Sequence, residues 1–295
     1  MDLTNNLKIQ IPADVPEQFI NEYISNYLAI TRNLNRLFLF SCDQKIEHLN
    51  KDFYGPSIDP QDNDPEHLFK IAHAGDVGAF ATHLGLIAHY GKQYPTIKYI
   101  VKINGKTDLI PTSQRDPISY SLWTIDQIVS FKQRSQLPIC GIGYTLYLGS
   151  EFESEMLAEA AQIIYQAHSQ GLVTILWMYP RGKSVKNERS GDLIAGAAGV
   201  AVSLGADFAK INPPEPSDTK TTDDWLAIAA QAAGKTKLIV SGGSKREEQK
   251  FLSELSSIMN SGLIAGTATG RNIHQRSLND AVALTRAISK IVYKN

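Results

Sequence analysis

The chain reads as an α/β protein, a (β/α)8 TIM barrel with an N-terminal helical extension, and three observations predict this. Eight short apolar runs recur from residue 36 onward. Each is continuously apolar rather than alternating, the pattern of parallel strands covered on both faces, and most intervening segments are long enough for crossover helices. The length of 295 residues also suits a single barrel domain, which typically takes about 250 residues.

Taken in order, residues 1–35 form the extension, with an amphipathic helix in EQFINEYISNYLAI, read as a barrel cap or subunit contact rather than a domain. The barrel occupies residues 36–295. Its strands are RLFLFSCDQ (36–44), VGAFATHL (77–84), KYIVKING (98–105), LPICGIGYT (137–145), LVTILWMYP (172–180), ADFAKIN (206–212), TKLIVSGG (236–243) and GLIAGTATG (262–270). A Pro/Asp-rich segment from Lys51 to Pro65 predicts a long loop after the first strand, on the face where barrels keep their active sites. The clearest helix is EFESEMLAEAAQIIYQAHSQG, where Met156, Ala160, Ile163, Ile164 and Ala167 make one stripe and Gly171 a stop. Similar stripes run over residues 193–204 and 278–292. Eight β/α units favour a closed barrel over an open doubly wound sheet.

The net charge is −1, with 29 basic and 30 acidic residues well mixed, which argues against nucleic acid or an anionic membrane as partner. The N-terminus lacks a basic stretch followed by an apolar one, and no run approaches a membrane span. Cys42 and Cys140 each sit in an apolar run, so buried thiols in a reducing cytoplasm are expected.

Polar residues gather at the C-terminal ends of the predicted strands. They include Asp43, Glu47 and His48 after the first, Lys102, Asn104 and Lys106 at the third, and Tyr144 in the fourth. Trp177, Tyr179 and Arg181 end the fifth, and Lys210 and Asn212 the sixth. SGGS (241–244) and GTATGRN (266–272) follow the seventh and eighth, where barrels frequently hold a phosphate. Glycine lets the backbone approach the anion, and Arg271 adds a bidentate contact.

Lys210 interrupts the apolar run GADFAKINPP, and a buried ammonium is costly unless paired, neutral or used. It is either half of a structural ion pair with Asp43 or Glu47, or a nucleophile that forms a Schiff base. Lys102, in IVKING, is its rival, and spacing hardly separates them. Asp43, Glu47 and His48 make only a weak metal signal, and His73, His83, His89 and His168 show no ligand spacing, so no metal and no cofactor are expected.

At DQKIEH, KINGKT, GYTLYLGS, WMYPRG, GADFAKIN, SGG and GRNIHQR, in order from about residue 40 to 276, the chain resembles the archaeal-type class I fructose-bisphosphate aldolases, grouped with the DeoC/LacD barrel aldolases. The resemblance implies Lys210 as the Schiff-base lysine, Tyr179 as a proton-transferring group and Asp43 as the active-site aspartate. It implies that Trp177 and Arg181 line the pocket and that Ser241, Gly242, Gly270 and Arg271 bind phosphate. His48, Lys102 and Gly243 complete the candidate substrate-binding set. Lys45 and Leu49 stand where the family usually has glycine, and Asn212-Pro213-Pro214 replaces its usual continuation of the sixth strand, changes that bear on substrate more than chemistry.

The expected activity is cleavage or formation of a phosphorylated ketose, most simply fructose 1,6-bisphosphate, by a cytoplasmic homo-oligomer. Two alternatives stay open: a transaldolase-like or aminodideoxyheptulosonate-type synthase on the same barrel, and a non-catalytic sugar-phosphate-binding protein.

Overall fold

The computed structural model describes residues 9–294, so the first eight residues of the predicted extension lie outside the described residues. In chain order the elements begin with α1 (Ile20–Thr31), β1 (Leu37–Ser41), α2 (Gln44–Glu47), α3 (Glu66–Ala74), β2 (Ala79–His83), α4 (Leu84–Tyr90) and β3 (Tyr99–Lys102). Then come β4 (Asn104–Gly105), β5 (Tyr120–Ser121), α5 (Ile125–Ser135), β6 (Ile139–Leu148), α6 (Glu153–His168), β7 (Val173–Pro180) and α7 (Gly191–Ser203). The last are β8 (Phe208–Ile211), α8 (Thr222–Ala233), β9 (Lys237–Ser241), α9 (Glu248–Asn260), β10 (Gly266–Thr269), α10 (Arg271–His274) and α11 (Leu278–Val292).

Eight strands close a parallel barrel in the order β1-β10-β9-β8-β7-β6-β3-β2. All eight predicted runs supply a barrel strand. The third run departs from expectation after Lys102: Asn104–Gly105 leaves the barrel and pairs antiparallel with Tyr120–Ser121. The fourth continues beyond its predicted end to Leu148, paired with β7 throughout that stretch.

Side chains alternate along each strand, so one parity faces the barrel axis and the other the helices. Leu37, Leu39, Ala79, Ala81, Ile100, Val173, Ile175, Phe208, Ile239 and Ala268 belong to the interior cluster. Phe38, Phe40, Phe80, Val101, Leu176, Met178, Ala209, Leu238 and Val240 belong to the cluster beneath the helices. Continuing the interior parity toward the strand ends reaches Ser41, Asp43, Lys102, Trp177, Tyr179, Lys210 and Ser241. The same period that builds the core therefore aims the polar residues at the axis.

Gly143 shows how tightly the interior is filled: a Cβ there would lie 2.2 Å from the Trp177 ring, so the missing side chain makes room for the indole. At the opposite end, α1 closes the barrel floor. Its Tyr23, Tyr27 and Ile30 are buried in the interior cluster, Asn26 donates to the Gly171 carbonyl at 2.8 Å, and Tyr23 donates to Asp207 at 2.5 Å. The stripe predicted for α6 is buried as expected, and Gly171 takes φ +66° just beyond it, a conformation that favours glycine.

The segment 51–65 is anchored rather than loose. Phe53 is buried with its ring stacked 4.8 Å from that of His274, and Asp62, buried in a short 3-10 turn, accepts a 2.7 Å bond from His274 Nδ1. No helix among the described residues is long and apolar enough to cross a membrane.

Candidate active site

The strand ends converge on a small polar pocket of about 100 Å3 at the C-terminal mouth of the barrel. Lys210 on β8 and Asp43 just after β1 face it, with Tyr179 from β7 beside them. Glu47, His48 and Arg181 form part of its wall, and Ser241, Gly242, Gly243, Gly270 and Arg271 another. A larger cleft of about 930 Å3 lies outside the barrel between α8 and α9, sharing Asn212 and Ser241–Gly243 as a wall; it contains neither Lys210, Tyr179 nor Asp43.

The two candidate lysines differ in what holds them. Lys102 is completely buried, and its ammonium donates to Glu47 Oε1 at 3.2 Å, the Asn104 carbonyl at 2.7 Å and Asn104 Oδ1 at 2.9 Å. With three acceptors its donors are fully used, and it lies behind the pocket wall rather than on it. Asn104 is fixed in turn, donating to the Ser119 and Thr145 carbonyls and accepting from the Thr145 N–H. Lys210, only 4% exposed, has one hydrogen bond, to Ser41 Oγ at 3.2 Å, and lines the open space. Lys210 thus keeps donors unused beside open space, whereas Lys102 is locked among three oxygens.

Ser41, which sequence reasoning passed over, joins Lys210 to Asp43, because its Oγ also donates to Asp43 Oδ1 at 3.0 Å. Burial works to raise the Asp43 carboxyl, but the cations of Lys210 and then Lys102 hold it below the ordinary carboxylate range. It is therefore ionised at neutral pH. His83, on β2 and also passed over, goes the other way: burial and the Lys102 charge push its imidazole down to about 4. It stands neutral, with Nδ1 bonded to the Lys102 carbonyl at 3.1 Å.

Tyr179 presents its ring 5.9 Å from Lys210 Nζ, and Trp177 packs beneath at 5.4 Å. Burial raises the Tyr179 hydroxyl above its ordinary value, only partly offset by Lys210, so the phenol carries its proton at neutral pH. Trp177, expected to line the pocket, is instead buried beneath Lys210 and does not reach the pocket surface.

The glycine segments meet beside Lys210. A Cβ at Gly270 would fall 2.2 Å from the Ser41 carbonyl, so no side chain fits there. The Gly242 N–H is committed to the Ala268 carbonyl at 3.1 Å, and Ser241 Oγ donates to Asn212 Oδ1 at 2.6 Å. Arg271 lies at the rim, its Nε 3.6 Å from Asp52 Oδ2, the carboxylate that also binds His48 Nδ1. Asp52 comes from the segment after β1, and nothing in its local sequence marks it as part of this corner. Arg181 is held by both oxygens of Glu188, another residue without a sequence signal.

No group of three or more His, Cys, Asp or Glu side chains arranged to hold a metal occurs among the described residues. The pocket offers instead a buried amine, a carboxylate linked to it through a hydroxyl, a protonated phenol and a glycine-lined basic corner. That set can form an imine with a carbonyl compound and move protons about it.

Comparison with known proteins points the same way. Over 283 residues the chain is 48% identical to a fructose-bisphosphate aldolase/6-deoxy-5-ketofructose 1-phosphate synthase of Methanocaldococcus jannaschii, covering 96% of this chain and 90% of that protein. It is 33% identical to a class 1 fructose-bisphosphate aldolase of Thermoproteus tenax, over 90% of this chain and 93% of that one. The solved structure of a fructose-bisphosphate aldolase from Slackia heliotrinireducens superposes with a TM-score of 0.94 at 52% identity, covering 97% of this chain and 90% of that one. An archaeal fructose-1,6-bisphosphate aldolase, solved with its catalytic lysine bound to the carbinolamine intermediate, superposes at 0.77 with 31% identity, covering 92% and 99%. Residues 37–276 match the DeoC/LacD family aldolases, the stretch that runs from the first barrel strand past the last one, and the chain belongs to that family.

Proposed function

We propose that the protein is a class I, Schiff-base fructose-bisphosphate aldolase that cleaves fructose 1,6-bisphosphate to dihydroxyacetone phosphate and glyceraldehyde 3-phosphate, or joins them. The observation that carries this reading is Lys210, a buried lysine with a single hydroxyl partner, facing the pocket between Asp43 and Tyr179. The relatives whose names specify this activity match nearly the whole chain.

In this reading the Lys210 amine adds to the ketone carbon, and loss of water leaves a protonated imine. The bond between C3 and C4 breaks, its electron pair moves into the imine to give an enamine, and the C4 hydroxyl proton passes to Asp43 as the aldehyde leaves. Tyr179 delivers a proton to the enamine carbon and is restored from Asp43. Water then hydrolyses the imine, freeing dihydroxyacetone phosphate and Lys210. Ser41 gives protons a path between Lys210 and Asp43 during imine formation. The glycine corner with Arg271 anchors the phosphate next to the reacting ketone and converts remote binding into orientation.

Borohydride reduces an imine to a stable amine, so treating the protein with dihydroxyacetone phosphate and borohydride tests the reading directly. A covalent adduct detected by mass spectrometry supports it, and an unmodified protein sinks it. Because the imine itself is the electron sink, cleavage is expected to continue undiminished after exhaustive chelation with EDTA; activity lost and then restored by zinc would point to cation polarisation of the carbonyl instead.

Arg271→Ala is expected to weaken phosphorylated ligands by roughly one to two orders of magnitude, the worth of a charge-assisted hydrogen bond. Rate at saturation should change little. Equal losses for phosphorylated and unphosphorylated ligands would remove the phosphate role.

A second reading, a synthase building a ketose 1-phosphate on the same amine, is favoured by the double name of the Methanocaldococcus relative. Assembly as a homo-oligomer and a cytoplasmic location remain part of the proposal. The two buried free thiols, Cys42 and Cys140, accord with a reducing compartment.

A further inference from the structure

We infer that Asn272 is a positioning residue of the phosphate corner: its buried carboxamide gathers the carbonyls of the turn after β9 and so leaves the N–H groups of Gly243 and Ser244 to bind the ligand's phosphate. This deepens the aldolase reading and rests on it. Two of the groups expected to bind phosphate at this strand end are already occupied, because the Gly242 N–H donates to the Ala268 carbonyl and Ser241 Oγ to Asn212 Oδ1. The next two N–H groups along the chain, of Gly243 and Ser244, have no acceptor among the described residues.

Asn272, the residue after Arg271 in α10, is completely buried. Its Nδ2 donates to the Gly242 carbonyl at 2.8 Å and the Ser244 carbonyl at 3.1 Å, with the Gly243 carbonyl at 3.5 Å. Its Oδ1 accepts from the Arg246 N–H at 3.1 Å. With carbonyls at one end of the carboxamide and an N–H at the other, only this orientation satisfies both. In a trans peptide the C=O and the following N–H point in opposite directions. Drawing the Gly242 and Gly243 carbonyls toward Asn272 therefore turns the Gly243 and Ser244 N–H groups away from it. Gly242 and Gly243 line the pocket whereas Asn272 does not, so the turn stands between the two. Gly243 takes φ +70°, the left-handed conformation that lets successive N–H groups face one anion and that a side chain would strain.

The corner thus combines two kinds of donor. Arg271 supplies charge but has Asp52 beside it, 3.6 Å away. The turn supplies uncharged N–H groups that are held in place before the ligand arrives and have no partner to give up. A phosphate gains hydrogen bonds there, and an unphosphorylated ketone gains none. The effect of Asn272 should therefore appear in ligands that carry phosphate and not in the reaction of the amine with the carbonyl carbon.

The test measures how borohydride trapping saturates with dihydroxyacetone phosphate and with dihydroxyacetone, in the full chain, in Asn272→Asp and in Asn272→Ala. Asn272→Asp keeps the shape but replaces the amide donors with acceptors facing three carbonyls, so the turn has to rearrange. The half-saturating concentration of dihydroxyacetone phosphate should rise about 10- to 100-fold, the worth of a charge-assisted hydrogen bond, and at least about tenfold more than that of dihydroxyacetone. Asn272→Ala removes the donors without adding a charge and should divide the two ligands in the same direction. Equal shifts for both ligands, or no shift, would leave Asn272 a purely structural residue and overturn the inference. The unaltered protein gives a check that depends on no variant folding: with 15N-labelled glycine and serine, dihydroxyacetone phosphate should move the Gly243 and Ser244 amide resonances downfield, and dihydroxyacetone should not. Amides that ignore both ligands, or answer both alike, would also overturn it. An adduct in the unaltered protein with the two ligands undivided by the variants removes only the role of Asn272, whereas no adduct removes the aldolase reading and this inference with it.

Discussion

Lys210→Met is expected to abolish both the borohydride adduct and turnover while leaving the protein folded. Among the described residues lining the pocket it is the only primary amine, so in the proposed mechanism its removal takes away the electron sink and the whole catalytic route. Methionine fills a similar volume and relieves the barrel of a buried charge, so folding should not suffer. Lys102→Met should behave in the opposite way. Its ammonium satisfies Glu47 and Asn104 deep in the wall, and losing one half of such a pair leaves a buried carboxylate uncompensated, at a cost of about 3–5 kcal/mol. The denaturation midpoint should fall, yet dihydroxyacetone phosphate should still be trapped, with the modified peptide containing Lys210. An adduct mapped to Lys102, or trapping that survives in Lys210→Met, would exchange the roles of the two lysines.

Tyr179→Phe should separate imine formation from proton transfer. The phenylalanine keeps the ring beside Lys210 and Trp177 but loses the proton that burial keeps on the hydroxyl. Dihydroxyacetone phosphate should still be trapped by borohydride. Exchange of its C3 hydrogen with solvent, and overall cleavage, should slow by about 10²- to 10⁴-fold, the usual contribution of a positioned acid or base. If exchange continues at the original rate, the proton comes from another group, with Asp43 through Ser41 as the first to examine. If trapping is lost as well, Tyr179 acts in forming the imine.

Much of this was legible in the chain because it is written in local periodicity. Continuous apolar runs of strand length announced eight parallel strands, and the period-2 alternation within each run carries Phe208 and Lys210, or Ile175, Trp177 and Tyr179, onto the same face. Once Phe208 points to the axis, so does Lys210. The polar ends of the runs likewise located the mouth of the barrel, and adjacent Gly-rich segments after the last two strands located a basic, glycine-lined corner.

What periodicity does not encode is which distant residues meet. Lys210 and Lys102 occupy similar positions near the ends of their own strands; Lys102 finds two oxygens on Asn104, where the chain turns out of the barrel, and a third on Glu47, 55 residues away, whereas Lys210 finds a single hydroxyl on Ser41, 169 residues away. Asp52 and Glu188 sit in irregular segments where no repeat fixes side-chain direction, so their pairing with Arg271 and Arg181 follows from loop packing alone. The fate of α1 is another such case: its apolar stripe specified a helix needing a partner, and the open end of the barrel, with Gly171 and Asp207 at its rim, supplied one. The sequence by itself determined the fold, the mouth and the chemical types gathered there, because each depends on near neighbours. The tertiary structure decided which lysine is left with unused donors and which cations are already neutralised, because burial and pairing depend on groups that barrel closure and loop packing together bring into contact.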